Sequence, residues 1–351
     1  MKILLNFVIV VLLLVSAAAA AHAQPPEINE KFRAETIDSL LALLKDKYVY
    51  PEMALKMEEA VRARQRRGEY DAISDPQRLA EKMTADLREV FDDKHLKISY
   101  SPEPIPLRSA KAGAPTPAEI EARRVKQRRE NFGLQRVEIL KGNVGLIQID
   151  YFAPLEWSEK SIAAAMSVAA DTDALIIDVR QNRGSMDINA IPFFCSYLFA
   201  EPVQLGSYFS RETGETRQLW TYAVVPGRKF ADKPVYLLTS RRTASGAEAF
   251  VSNLKRLKRA VIVGETTAGA TMPGLSHRIN EHFSVWISTG RSANGSAANE
   301  NKGIAPDFPV APEKAVETAH QQILKQLLET ATDENWKAEL KNFIIELEKK
   351  N

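Results

Sequence analysis

One serine carries the residue types and the spacing that attack on a carbonyl group requires. An apolar run ends at Leu238, a polar turn follows, and Ser245 stands where an amphipathic helix begins. A serine at such a turn can expose its hydroxyl beside free backbone N–H groups and the positive end of a helix dipole. A nucleophile next to donors for the developing oxyanion is what acyl transfer needs.

The same residues also fit a purely structural role. Ser245 and Glu248 stand three positions apart, as in the S-x-x-E capping box, where the serine only satisfies an orphan N–H. Taken alone, the cap is the favoured interpretation, because capping serines far outnumber nucleophiles. The remainder of the chain must decide between the two.

The elements that would position this serine alternate between buried strands and helices. Near-continuous apolar runs predict strands at 144–149, 175–179, 235–238 and 260–263, with a further strand at 283–287. Helical patterns lie between them at 157–170, 188–199 and 247–257. This alternation predicts βαβ units and an α/β core with a mostly parallel sheet.

Helical periodicity dominates both flanks of this core. Apolar residues recur at helix spacing between 27 and 88, and two charged amphipathic helices are predicted from 312 to 350, the second capped by Asp333. The predicted organisation is a signal peptide at 1–23, a helical N-terminal domain at 24–110, a linker and charged helix at 111–132, an α/β core at 133–311 and a C-terminal helical segment at 312–351.

Composition restricts the classes of function. The chain has 351 residues, is 45% hydrophobic and 26% charged, and carries a net charge of +2, which gives no electrostatic argument for a nucleic-acid partner. The basic clusters at 62–67 and 123–129 are interpreted as solvated helix faces. Cys195 is the single cysteine and lies in an apolar context, so no intramolecular disulfide forms. Without a C-x-x-C or H-E-x-x-H motif, we expect neither a metal nor another cofactor.

The first residues have the order of a secretory signal peptide. Lys2 precedes an apolar run at 3–15, and Ala21-His22-Ala23 is an A-x-A cleavage site. We expect cleavage after Ala23 and export to a periplasm or the extracellular space, with no stable membrane span afterwards. The alternative is an uncleaved anchor, since the apolar run is nearly long enough to span a bilayer.

Several segments taken together resemble the tail-specific (C-terminal processing) serine peptidase family, nearest to the branch that contains interphotoreceptor retinoid-binding protein and the tricorn protease core. The resemblance implies a crotonase-like (ClpP/crotonase) spiral α/β core beside a helical N-terminal domain. No room for a PDZ domain is evident. The segments that carry the resemblance occur in order at 48–54, 93–96, 131–134, 175–185, 196–198, 234–240, 243–248, 264–269 and 300–307.

The resemblance also assigns catalytic roles. Ser/Lys members of the family have a lysine where this chain has Ala270, so that mechanism is not expected here. The D-x-H segment ending at His95 matches the branch that takes its general base from a histidine, and Glu300 opens a segment similar to the branch's E-N-x-G-x-x-P-D. The implied site is therefore Ser245 as nucleophile, His95 as general base and acid, and Glu300 as the group that orients or polarises them. Structural alternatives are a half-buried histidine at His95 and an exposed loop carboxylate at Glu300.

Two backbone N–H groups complete the implied site. Gly246, at the helix start, and Gly184, in the turn after the strand at 175–179, are the expected oxyanion donors. Gly184 alternatively provides only a tight turn. For Asp178 and Arg180 we favour an internal ion pair that holds this turn over a catalytic role.

The favoured function is an exported serine peptidase that hydrolyses peptide bonds in peptides or unfolded proteins. Two departures from the family pattern leave an alternative open, because Gly184-Ser185 replaces paired glycines and Lys94 stands where the tricorn branch has a serine. That alternative is an inactive member that binds an apolar ligand or a peptide. A third class is a scaffold that self-associates through 312–350, so the partners considered include a second copy of the chain.

Overall fold

Three helices form the N-terminal part of the chain. The computed structural model describes residues 26–106, 115–292 and 301–349, and it begins with α1 (Glu30–Lys47), α2 (Pro51–Arg66) and α3 (Pro76–Val90). Asn29 and Asp75 cap α1 and α3 through side-chain oxygens that accept first-turn N–H groups. Proline occupies the first turn of α2 and of α3, where its missing N–H costs nothing.

A six-stranded sheet forms the centre of the core. Its strands, in the order β12-β8-β7-β4-β3-β2, run parallel except for β2, which is antiparallel to β3. The parallel ladder explains the near-continuous apolar runs, because both faces of these strands are covered. The bounds are β2 (Leu134–Leu140), β3 (Val144–Ile149), β4 (Ala174–Asp178), β7 (Val235–Thr239), β8 (Val261–Gly264) and β12 (Phe308–Pro309).

Helices cover the two faces of this sheet. Alternate strand residues belong to two different apolar clusters, so that Ile177 packs in one cluster and its neighbour Ile176 in the other. The first cluster contains α5 (Leu155–Ala169), α6 (Ala190–Ser196) and α7 (Gly246–Arg256). The second contains α8 (Ala315–Thr330) and α9 (Glu334–Glu348), whose predicted cap Asp333 accepts the Trp336 N–H.

Two smaller antiparallel sheets flank the core. One has the order β1-β10-β9, formed by β1 (Lys97–Tyr100), β10 (Phe283–Ser288) and β9 (Gly274–Arg278). The other has the order β11-β5-β6, formed by β11 (Gly290–Ser292), β5 (Gln204–Ser210) and β6 (Thr216–Trp220). Since β1 follows α3 directly, its pairing with β10 joins the N-terminal helices to the rest of the molecule, and one apolar cluster includes both.

The architecture confirms the mixed α/β class and the helical N-terminal region. The predicted charged helix is α4 (Pro117–Arg129), which begins with a capping box formed by Thr116 and Glu119. Cys195 is fully buried, as expected, and burial raises the pKa of its thiol. Within the described ranges, none of the helices is both long enough and apolar enough to cross a bilayer. The predicted signal peptide at 1–23 lies outside the described residues.

Candidate active site

Ser245 lies between β7 and α7 in a conformation that non-glycine residues rarely adopt. Its φ is 55° and its ψ is −125°, and the helix begins at the next residue. Glu248 forms one half of the capping box, because its Oε2 accepts the Ser245 N–H at 3.2 Å. The Ser245 hydroxyl oxygen forms the other half, because it stands opposite the Glu248 N–H as an acceptor. A capping oxygen only accepts, so the cap leaves the hydroxyl hydrogen for another partner, and the half-buried side chain lines a cavity.

Glu248 links the turn that carries Ser245 to a neighbouring loop through hydrogen bonds. Its carboxylate is fully buried and also accepts the Thr267 hydroxyl at 2.5 Å, the Gly269 N–H at 2.7 Å and the Ala270 N–H at 2.7 Å. Burial raises the pKa of this carboxyl, and the hydrogen bonds act in the opposite direction. The Ser245 N–H in turn donates to the Ala270 carbonyl at 2.7 Å. These hydrogen bonds fix the backbone that carries the Ser245 hydroxyl.

The turn after β4 packs directly against the nucleophile. Gly184 has a φ of 131°, and a Cβ there would lie 2.9 Å from the Ser245 Cβ and 3.2 Å from its Oγ. Asn182, which is fully buried, accepts the Gly184 N–H at 2.9 Å through its side chain and the Ala244 N–H at 3.1 Å through its carbonyl. The two loops are thus held together beside the serine, and only glycine fits at position 184.

The free amides of the site are those of Gly246 and Ser185. Among the described residues neither N–H has a hydrogen-bond acceptor, whereas the Gly184 N–H is engaged by Asn182. A Cβ on Gly246 would lie 2.7 Å from the Ser185 nitrogen, so this amide adjoins the start of α7. Sequence reasoning named Gly184 and missed Ser185. The available signal was that Ser185 occupies the second position of the family's glycine pair.

The Asp178–Arg180 pair has the predicted structural role. The Arg180 guanidinium contacts both carboxylate oxygens of Asp178, at 2.9 and 2.6 Å, and also the Pro312 carbonyl. The hydrogen bond to Asp178 raises the pKa of Arg180. This bidentate pair ties the end of β4 to the beginning of the C-terminal helices and does not enter the cavity.

His95 lies on the turn between α3 and β1. The buried carboxylate of Asp93 shapes this turn by accepting the His95 N–H at 2.9 Å and the Tyr48 hydroxyl at 3.1 Å. The His95 ring stacks on Trp286 with centroids 6.3 Å apart, and its buried Nδ1 has no hydrogen-bond partner among the described residues. Burial lowers the pKa of the imidazole, which keeps it neutral and able to accept a proton at neutral pH.

His95 and Ser245 are not hydrogen-bonded in the part of the chain that the structure describes. They are nevertheless connected through one aromatic ring. A Cβ on Gly274 would lie 2.8 Å from the indole nitrogen of Trp286, and Gly274 lines the cavity that contains Ser245. Trp286 therefore contacts the predicted base on one side and adjoins a residue of the nucleophile's cavity on the other.

Glu300 lies outside the described residues, so its role stays a prediction. Its neighbour Asn301 donates its N–H to the Gly269 carbonyl at 2.8 Å, on the loop that Glu248 holds. Within the described part of the chain, no three histidine, cysteine, aspartate or glutamate side chains are arranged to hold a metal ion.

A cavity of about 910 Å³ opens beside the nucleophile. Ser245, Gly246 and Ser185 lie in its wall, together with Gly274. The remaining wall is largely apolar, with contributions from Met186, Ile188, Ile191, Leu205, Leu275 and Ile304. The cleft thus combines a serine with two residues whose backbone N–H groups have no acceptor among the described residues, and acyl transfer to serine needs groups of these types.

Comparisons with known proteins identify the family and support the fold. The profile of peptidase family S41 matches residues 143–310, and the profile of the N-terminal domain of S41 peptidases in eukaryotic IRBP matches residues 29–131. A candidate peptidase from Parabacteroides merdae superposes with a TM-score of 0.60 at 16% identity, over 86% of this chain and 99% of that one. Mature CPAF complexed with lactacystin gives 0.51 at 13% identity, over 89% and 99%. The tricorn protease gives 0.50 at 13% identity, over 90% of this chain and 37% of its own. The chain belongs to peptidase family S41.

Proposed function

We propose that this protein is an exported serine peptidase that hydrolyses peptide bonds in peptides or unfolded proteins, built on a crotonase-like spiral core. The observation that carries the proposal is the hydroxyl of Ser245, held at a strained turn beside the unpaired amides of Gly246 and Ser185. Membership of peptidase family S41 supports the reaction class.

In the proposed reaction the Ser245 Oγ attacks the carbonyl carbon of the scissile peptide bond while His95 takes the hydroxyl proton. The carbonyl oxygen becomes an oxyanion and accepts hydrogen bonds from Gly246 and Ser185. Collapse of the tetrahedral intermediate breaks the C–N bond, and His95 returns the proton to the leaving amine. Water then hydrolyses the acyl-serine by the same steps, which frees the second product and restores the hydroxyl.

The proposed base has to move closer to the serine for this chemistry. Catalytic hydrogen bonds are often long or unformed in unliganded enzymes and tighten when substrate binds. Trp286 stacks on His95 and adjoins Gly274 of the cavity wall, so we propose that this side chain rearranges when the imidazole approaches the hydroxyl. Glu300 is proposed to orient the imidazole or to polarise the site, and the alanine at position 270 supports a histidine rather than a lysine as the base.

Ser245-specific labelling tests the reaction class. The purified mature chain is incubated with a fluorophosphonate probe and, separately, with β-casein as an unfolded protein substrate. We expect labelling and cleavage, both lost in Ser245→Ala, while His95→Ala lowers the labelling rate at least a hundredfold. Labelling that persists in Ser245→Ala would contradict the assignment of the nucleophile.

Export is part of the proposal and has its own test. Cleavage after Ala23 would leave Gln24 as the first residue of the mature protein. N-terminal sequencing of the protein recovered from outside the cytoplasm checks this. Recovery of the intact N-terminus in the membrane fraction would instead support the uncleaved anchor.

A second candidate function is binding of an apolar ligand without turnover. Two observations favour it: the cavity is large and mainly apolar, and the described structure has no hydrogen bond between His95 and Ser245. This candidate predicts saturable binding of a long-chain fatty acid together with no labelling by the fluorophosphonate. Labelling at Ser245 with no measurable fatty-acid binding would exclude it.

A further inference from the structure

Strand β9 presents an open edge beside the nucleophile's cavity. It is the last strand of the sheet β1-β10-β9, and no described residue pairs with its outer side. Leu275 is 52% exposed and Ser276 is also exposed, so this edge is accessible. An unpaired edge strand offers a row of N–H and C=O groups to which another extended chain can pair.

The register identifies which backbone groups face outward. Residues of β9 and β10 pair so that Ser276 stands opposite Trp286. At both ends of β9, odd-numbered residues form backbone hydrogen bonds toward β10. The Pro273 carbonyl accepts the Thr289 N–H at 3.0 Å, and the Ile279 N–H donates to the Phe283 carbonyl at 2.8 Å. Antiparallel pairs alternate between bonded and non-bonded. The N–H and C=O groups of Gly274, Ser276 and Arg278 therefore point away from β10.

This edge begins close to the reacting hydroxyl. The Ala270 carbonyl accepts the Ser245 N–H at 2.7 Å, and β9 starts four residues later. Four residues span at most about 14 Å when fully extended. Gly274 and Leu275 also line the same cavity as Ser245. A chain that lies along the edge of β9 thus reaches the nucleophile within a few residues.

We propose that β9 receives the substrate as an added β-strand, paired to the outward groups of Gly274, Ser276 and Arg278. This inference rests on the proposed function and specifies how the substrate is held. Main-chain hydrogen bonds supply affinity with little dependence on sequence, and alternate side chains meet the two faces of the edge. One face presents Leu275, and the other presents Trp286, on which His95 stacks. The substrate class is a polypeptide segment of about five or more residues that can become fully extended.

The other open edge near the cavity fits this role less well. Strand β6 ends the sheet β11-β5-β6, but it contributes only Leu219 to the cavity wall. It is also remote in the chain from the Ala270 carbonyl that binds the Ser245 amide, whereas β9 begins four residues after this carbonyl and contributes both Gly274 and Leu275 to the cavity wall.

Peptide binding to the Ser245→Ala variant of the mature chain tests the pairing without requiring turnover. Overlapping ten-residue peptides of β-casein, labelled with fluorescein, are screened by fluorescence anisotropy, and the tightest binder is resynthesised with N-methyl groups at alternate residues in each of the two registers. Methylation in the register that faces β9 removes the paired N–H groups and should raise Kd at least tenfold. The other register serves as the matched control and should change Kd by less than threefold.

Ser276→Pro provides the protein-side test, since it removes an outward N–H and no bond to β10. We expect Kd to rise at least tenfold with a thermal unfolding midpoint close to that of the parent. Equal effects of the two methylated registers would overturn the proposal, as would unchanged binding to a folded Ser276→Pro variant. The methylated peptides are measured on a protein whose strand β9 is unchanged, so they test the proposed pairing even if the Ser276→Pro variant does not fold. Failure of the peptidase proposal is recognised separately, by absent fluorophosphonate labelling of the chain that retains Ser245.

Discussion

Glu248 is expected to stabilise the fold through the four hydrogen bonds that its carboxylate accepts at the turn carrying Ser245. In Glu248→Gln one acceptor oxygen becomes a donor. Placed at Oε2, the new amide would face two backbone donors, whereas at Oε1 it faces one backbone N–H and a hydroxyl that can rotate to accept. The second orientation is cheaper and leaves the Gly269 N–H unsatisfied. One buried unsatisfied donor costs about 1–3 kcal/mol, which is the predicted loss in the free energy of unfolding.

Urea unfolding at pH 7, followed by tryptophan fluorescence and extrapolated linearly, measures this loss. The matched control is Glu265→Gln, which removes the same charge from a carboxylate paired with the exposed Arg241. An exposed pair of this kind contributes about 0–1 kcal/mol. Glu248→Ala leaves the Thr267 hydroxyl and the Gly269 and Ala270 N–H groups without this acceptor, while the Ser245 N–H keeps the Ala270 carbonyl, and it should cost at least twice as much as Glu248→Gln. If Glu248→Gln proves no less stable than Glu265→Gln, the hydrogen-bond reasoning is refuted.

Three further outcomes are expected. Burial lowers the pKa of His95 below its ordinary 6.5, so the neutral base persists to lower pH. The acid limb of the pH profile of kcat/KM should therefore have its midpoint below 6.5. A midpoint above 6.5 would contradict a desolvated base. Gly184→Ala places a Cβ 2.9 Å from that of Ser245 at a φ of 131° and should slow fluorophosphonate labelling at least about a hundredfold. The control Gly214→Ala, at a φ of 69° in open surroundings, should cost about 1 kcal/mol of stability and label normally. Equal labelling rates of the two variants would disprove the steric argument. Tyr48→Phe removes a donor from the buried Asp93 carboxylate and should lower the free energy of unfolding by about 1–2 kcal/mol, as measured by urea titration.

Four of the five parallel strands could be predicted from the sequence, whereas the two-residue strand β12 and most of the antiparallel strands could not. Strands β3, β4, β7 and β8 are covered on both faces, so their apolar runs are visible without knowledge of their partners. Strand β9 has the sequence GLSHR and is half exposed at a sheet edge, which leaves no periodic signal. Its existence depends on β10, and β10 also pairs with β1 from the far side of the chain.

The site shows the same division between local and non-local information. Ser245 could be found because the end of a strand, a polar turn and the start of a helix are adjacent in sequence. Glu248 could be recognised only as a capping residue, since its three other donors come from a loop about twenty residues later. The choice between the amides of Gly184 and Ser185 depends on the direction of single N–H bonds, which the buried side chain of Asn182 determines.

Strand β10 connects the two halves of the proposed chemistry. On one side it pairs with β1, which follows the turn that carries His95, and on the other it pairs with β9. Trp286, in the middle of β10, contacts both, because its ring stacks on His95 and its indole nitrogen adjoins Gly274. Binding of an extended chain at β9 and the position of the imidazole would then be coupled through Trp286, because this one side chain contacts the His95 ring and adjoins the strand that receives the substrate.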